Sequence, residues 1–286
     1  MIYYVSNQKK IFSDIELEYT TVADSLEYLD NYPTLNVDTE TTGLDRHTDK
    51  VFLLQIGAEG REYIIDISTV CIIAYKILLE AKELILQNAK FDLQFFFKND
   101  IYPTKIYDTM LAEQVLYNGF KNRSAGLGNL IKNYCRITID KELQKTVNRA
   151  IINTQVLKYS QRDILYLHRI RRVQESEAIK KGVLKAIHLE NRFVLALAYC
   201  EYCGIYLNTD KWKAKYLSAK EELNKIEDKL VQYLLNNNLD KYIDKQLDLF
   251  SSKKKTIVNW NSTKQVIPLF KDIGIDVSDP NTKTGE

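Results

Sequence analysis

Long apolar runs are missing from this 286-residue sequence: no stretch of about 18 apolar residues is present to cross a bilayer, so no membrane association is expected. Cysteine is scarce. The four present, Cys71, Cys135, Cys200 and Cys203, are too few and too irregularly spaced for a disulfide framework, and reduced thiols are expected. Cys200 and Cys203 form a CxxC, but it lies in a helical pattern with no second pair, which favours packing over zinc or redox chemistry. Net charge is almost absent: 40 basic against 38 acidic residues leave +2, which by itself says nothing about a polyanionic partner. The opening MIYYVS has neither the basic segment nor the apolar core of a secretory leader, so a cytoplasmic location is expected. No internal repeat is apparent.

What is present fits a soluble globular protein of one large or two modest domains, with 45% hydrophobic and 27% charged residues. Basic residues cluster in RIRR (169–172), at Lys180 and Lys181, and in KKK (253–255). Solvated helix faces and loops are the plain reading of each; a nucleic acid contact is the alternative.

From about Tyr32 onward, short apolar runs alternate with longer helical periods, the pattern of an α/β domain. LNVDTE reads as a strand, with VFLLQIGA and EYIIDI as hairpin partners joined at Glu59 and Gly60. A helix over 70–79, the strand ELILQN and a helix through KFDLQFFFKND follow. Further helices are expected over 109–116, 127–134 and 154–174. After about Glu177 strand-like runs nearly vanish and helices dominate, over 184–203 and 210–235. This shift places a domain boundary near 178–182, dividing the chain into 1–178 and 179–286. A polar stretch over 236–256 reads as a loop or hairpin tip.

Three separated stretches carry acids: NVDTETTGL (36–44), QNAKFD (87–92) and YSQRD (159–163). On a strand, Asp38 and Glu40 point to the same side; an isolated DxE is common and proves little. Asp92 falls in the first turn of a helix, where the helix dipole alone would favour it, but Asn88 marks the strand-to-helix junction where α/β domains bind ligands. Tyr159 and Asp163, spaced i and i+4, stack on one helix face. Four carboxylates within about 5 Å repel by on the order of 3 kcal/mol per pair, so divalent cations are expected among them. All-oxygen ligands favour Mg²⁺, then Mn²⁺.

These stretches resemble the three exonuclease motifs of the DEDD superfamily, in particular the proofreading domain of family A DNA polymerases. The resemblance implies a ribonuclease H-like fold, a mixed sheet flanked by helices, and 3′-5′ removal of nucleotides. By motif position, Asp38, Glu40, Asp92 and Asp163 would hold two divalent cations, and Tyr159 would orient the attacking water. Lys158 stands where the histidine branch of the superfamily carries its His, so the tyrosine branch is the match and His168 is not catalytic. Leu44 would wedge at the terminal base, and Gln87 and Asn88 would contact the terminal nucleotide. Phe91 replaces a frequent Tyr and keeps ring stacking alone. Arg123 is a weaker phosphate contact, and Asp108 in YDTMLAEQVL (107–116) would cap a helix or support a ligand.

Beyond Glu190, LAYCEYCGIYLNTD, WNSTKQVIPLFKDIGI (260–275) and PNTKTGE are similar to the start of a family A thumb. The mainly helical second region would then be an incomplete polymerase thumb, with palm and fingers supplied in cis or in trans and a single-stranded or frayed DNA 3′ end as substrate. Apolar faces including Val266, Leu269 and Phe270 are expected to be exposed. Two rival readings are a ribonuclease D-like RNA 3′ exonuclease, which ITIDKELQKT (137–146) also resembles, and a non-catalytic module bracing a polymerase.

Overall fold

The computed structural model describes residues 1–12, 14–121, 123–138, 151–244 and 255–277. Two compact units result, Met1–Ile205 and Tyr206–Glu286.

The first unit is built on a seven-stranded mixed sheet in the order β2-β1-β5-β4-β3-β6-β7. Its centre is the expected meander: β3 (Thr34–Thr41), β4 (Val51–Ala58) and β5 (Arg61–Asp66) pair antiparallel. The β4 to β5 turn places Glu59 and Gly60 at φ +41° and +84°, the left-handed pair that a two-residue hairpin needs. β6 (Glu83–Leu86) and β7 (Lys105–Asp108) extend the sheet parallel to β3. On the other side, β1 (Ile2–Val5) joins β5 and β2 (Leu17–Thr20) forms the edge, both parallel.

Helices flank this sheet. α1 (Val22–Asp30) starts at Thr21, whose hydroxyl caps the Asp24 N–H. The helix expected over 70–79 is a 3₁₀ turn (Ile72–Tyr75) running into α2 (Lys76–Ala81). α3 (Ala89–Lys98) and α4 (Thr109–Leu116) follow as expected. α5 (Leu127–Leu130) continues into a π turn (Ile131–Cys135). The long helix expected over 154–174 is interrupted at Tyr166, giving α6 (Thr154–Leu165) and α7 (Leu167–Lys181). The core is dominated by aliphatic strand residues, including Leu35, Val37, Leu54, Ile56 and Ile65, closed by Phe95 and Phe96 of α3.

α8 (Leu184–Cys203) also packs within this compact unit, which thus runs past the boundary expected from the sequence at 178–182. Val194 and Ala198 are buried in the main core, and Asn191 Oδ1 accepts the Asp108 N–H at 3.0 Å. Glu201 binds Lys90 at 2.9 Å and Gln94 at 3.0 Å. The loss of strand pattern after residue 177 marks a helical flank, and the compact unit continues for another two dozen residues.

The second unit contains α9 (Thr209–Asn236), a 3₁₀ turn (Asp240–Tyr242), a β-bridge between Ile243 and Thr256, and α10 (Thr263–Asp272). Val231, Leu234, Ile243, Val258 and Leu269 make a small core, against which Val266 and Phe270 pack. The apolar face expected to be exposed on α10 is therefore covered, because the end of α9 packs against it. Exposed apolar side chains are found on α9, among them Trp212, Tyr216, Leu223 and Ile226, and also at Ile257, Trp260 and Ile275. Lys253, Lys254, PNTKTGE and most of ITIDKELQKT lie outside the described residues. Among the described residues no helix is long and apolar enough to cross a membrane.

Candidate active site

The site forms where the sheet loses a strand. β6 pairs with β3 only as far as Asn36 opposite Ile85, so the second half of β3 runs past the end of its neighbour. Asp38, Thr39 and Glu40 border the notch. Strand alternation sends Asp38 and Glu40 to one face, opposite Gln55 and Leu53 of β4, and Thr39 to the other.

Each face receives a helix. On the first, α6 crosses β3, β4 and β5, and places Asp163 so that ligand oxygens of Asp38, Glu40 and Asp163 lie within 4.8 Å of one another. On the second, α3 begins just beyond β6 and brings Asp92 to Thr39, whose hydroxyl donates to Asp92 Oδ1 at 2.6 Å. Glu40 and Asp92 are buried, and Asp38 and Asp163 are half-buried.

The electrostatics reflect this crowding. Burial raises the Asp38 carboxyl well above its usual range, and the charges of Asp92, Asp163 and Glu40 push it the same way. Burial pushes Asp92 up to about 7, against the opposing hydrogen bond from Thr39. Tyr159 is raised by burial, by the charge of Asp163 and by the hydrogen bond between the two, so its phenol stays protonated. Arg162 lies over the Tyr159 ring with its guanidinium carbon 5.2 Å from the ring centre.

Asp108 holds the second motif in place. It caps α4 through the Met110 and Leu111 N–H groups at 2.8 and 3.4 Å. The same carboxylate accepts from the Asn88 and Ala89 N–H groups at 3.0 and 2.8 Å, anchoring the start of α3. Asn88 itself sits in the left-handed region at φ +62°, a conformation Asn tolerates better than most residues. Asp108 is thus a capping residue, as its place in the sequence suggested.

The remaining sequence candidates divide. Leu44 is 73% exposed in the loop after β3, and the Asn88 side chain is exposed beside the notch. Phe91 is half-buried and tilts against Phe95 with ring centres 5.1 Å apart. Gln87 has its amide occupied by protein: Nε2 donates to Ala125 O at 2.9 Å, and Thr109 Oγ1 lies 2.6 Å from Oε1. Arg123 is committed to a buried partner, pairing with Glu113 at 2.8 Å and lying 3.9 Å from the centre of the Tyr117 ring. The structure does not bring Arg123 to the carboxylates. His168 and Lys158 are exposed. Thr39 was not foreseen from the sequence, although its parity opposite Asp38 and Glu40 was the available signal.

The sequence profile of a family described as 3′-5′ exonuclease, the exonuclease domain of family A DNA polymerases, matches residues 15–175. The chain belongs to this 3′-5′ exonuclease family. Among curated proteins it is similar to DNA polymerase I of Aquifex aeolicus, 26% identical over 264 residues covering 84% of this chain and 44% of the relative. DNA polymerase I of Borreliella burgdorferi is 26% identical over 240 residues, 78% of this chain and 26% of the relative. The chain spans less than half the length of these relatives. Among solved structures, Brucella melitensis NrnC with bound Mg²⁺ gives a TM-score of 0.55 at 21% identity, covering 71% of this chain and 94% of NrnC. Escherichia coli RNase D, described as an exoribonuclease involved in structured RNA processing, gives 0.56 at 19% identity, covering 67% of this chain and 51% of RNase D. The fold of the first unit is therefore that of the ribonuclease H-like exonucleases.

Proposed function

We propose that this chain is a cation-dependent 3′-5′ exodeoxyribonuclease, the proofreading part of a family A DNA polymerase whose palm and fingers act with it in cis or in trans. The observation that carries this reading is the meeting of Asp38, Glu40 and Asp163 within 4.8 Å, with Asp92 bound to the intervening Thr39. Acids drawn from a strand and two helices, half-buried or buried and mutually repelling, have no evident structural purpose. They fit hard divalent cations, Mg²⁺ or Mn²⁺, because every donor is a carboxylate oxygen. Two such cations, when bound, would supply water activation and charge stabilisation at the scissile phosphate.

The chain's own groups have separate tasks in this reading. The four carboxylates would hold the cations, with Asp92 fixed by Thr39. Tyr159, protonated and donating to Asp163, keeps an oxygen lone pair with which to orient the attacking water. Leu44 and Asn88, both exposed, and the half-buried Phe91 would contact a strand end entering the site.

The fold alone also accommodates a ribonuclease D-like RNA exonuclease. DNA is favoured because the match to the Aquifex polymerase covers 84% of the chain, more than the first unit contains, whereas RNase D covers 67%. The C-terminal unit then reads as the beginning of a polymerase thumb. Shortening of 5′-labelled DNA and RNA oligonucleotides of matched sequence tests the choice. Faster trimming of DNA is expected, and faster trimming of RNA would reverse it.

A further inference from the structure

Beneath the carboxylates lies a second polar layer that the cation chemistry does not use. Asn36, Gln55 and Ser160 are all buried, with Gln55 and Ser160 fully so. Gln55 Nε2, Gln55 Oε1, Asn36 Oδ1 and Ser160 Oγ have no hydrogen-bond partner. Leaving a buried polar atom unpaired costs about 1–3 kcal/mol, so four in one place call for an explanation.

Their positions are specific. Gln55 is the direct cross-strand neighbour of Asp38, and such neighbours share a face with Cβ atoms roughly 5 Å apart. Asn36, two residues before Asp38, is on that face too. α6 covers the layer. Val156 and Leu157 near its start pack with Leu53, while Ile164 near its end reaches Gly57, where an added Cβ would meet its Cδ1 at 3.1 Å. Ser160 falls midway along the helix and faces the sheet, which sets it over Gln55, the residue between Leu53 and Gly57.

The donors and acceptors match. The Gln55 amide offers two hydrogens, and the Asp38 carboxylate and Asn36 Oδ1 can each accept one. The Ser160 hydroxyl offers one more, for Gln55 Oε1. We propose that Gln55 is a positioning residue for Asp38: without a hydrogen-bond partner in this structure, its amide, backed by Ser160, engages the Asp38 carboxylate when a divalent cation is bound and sets its orientation. Asn36 Oδ1, also without a partner, is the acceptor that would then fix the plane of that amide. The layer would act through Asp38 and touch neither cation nor DNA. Partners of this kind behind a metal ligand typically change metal affinity by about 10–100-fold.

This inference rests on the cation reading, and the test separates the two. Mn²⁺ is titrated calorimetrically into the full chain for wild type, Gln55→Met and Ser160→Ala, with melting temperatures recorded in EDTA. Gln55→Met is expected to weaken Mn²⁺ binding about tenfold with an unchanged or higher melting temperature, because it removes two unpaired polar atoms at nearly constant shape. Ser160→Ala should weaken binding about threefold. Wild-type Mn²⁺ affinity in Gln55→Met, whether or not its melting temperature falls, would overturn the positioning role. If Gln55→Met does not fold, Ser160→Ala decides, and wild-type affinity there overturns it. A wild-type chain that binds no Mn²⁺ would overturn the cation reading and this role with it.

Discussion

The Thr39 hydroxyl donates to Asp92 Oδ1 across 2.6 Å, tying the strand that carries Asp38 and Glu40 to the helix that carries the third acid. Strand alternation puts Thr39 on the face opposite its two acidic neighbours, so one three-residue stretch addresses both layers of the site. Thr39→Val keeps the shape and removes the donor. It should lower nuclease rate about tenfold with little change in fold, and Thr39→Ser should restore most of it. Single-turnover rates of the three proteins check this.

Removing an acid relieves repulsion and, in the proposed reading, removes a cation ligand. Asp38→Ala and Asp163→Ala should each lose roughly three or more orders of magnitude in rate while melting, without metal, at or above the wild-type temperature. Tyr159→Phe, which keeps the ring beneath Arg162 and loses only the hydroxyl, should lose about 10–100-fold. Oligonucleotide shortening and circular dichroism melts separate rate from fold.

The metal-free chain should be less stable at alkaline pH. Asp92 is pushed up to about 7 in the folded chain, and its unfolded value is the ordinary 3.8. Between these values the folded state binds the extra proton, so stability is highest near pH 4 and falls as pH rises towards about 7. Asp38, raised by burial and by the neighbouring charges, acts in the same direction. In EDTA the melting temperature should drop by roughly 5 °C from pH 5 to pH 8. Mg²⁺ at pH 8 should recover it, since a bound cation favours the ionised acids.

Much of this was legible in the sequence because the informative signals were local. The alternation in LNVDTE, the turn at Glu59 and Gly60, and the four-residue spacing of Tyr159 and Asp163 each fix a side chain's direction without reference to the rest of the chain. The strands β1 and β2 were missed because they are four residues long and recognisable only by their pairing to β5 and to each other. The break at Tyr166 was missed for a similar reason. Both α6 and α7 have helical patterns, and they separate because Val156 and Leu157 pack on one part of the sheet while Leu167 and Ala178 enter another cluster. Gln87 and Arg123 show the limit of motif position: one has its amide filled by Ala125 and Thr109, the other is held by Glu113.

Arg123 accordingly makes a stability prediction. Glu113 is buried, with Tyr134 and Gln174 as its other partners, and Arg123→Ala leaves its charge without a cation. With Arg123 itself partly exposed, a loss of about 2 kcal/mol is expected in urea unfolding, with the nuclease rate of the folded protein nearly unchanged. A selective fall in rate at full stability would instead make Arg123 a substrate contact.

The most direct measurement is the shortening of a 5′-labelled single-stranded DNA by the full chain in Mg²⁺, repeated in EDTA and with Asp163→Ala. If the four acids hold divalent cations as proposed, a ladder should grow from the 3′ end and be abolished by the chelator and by the substitution. A DNA left intact in both Mg²⁺ and Mn²⁺, or an Asp163→Ala chain that degrades it at the wild-type rate, would contradict it.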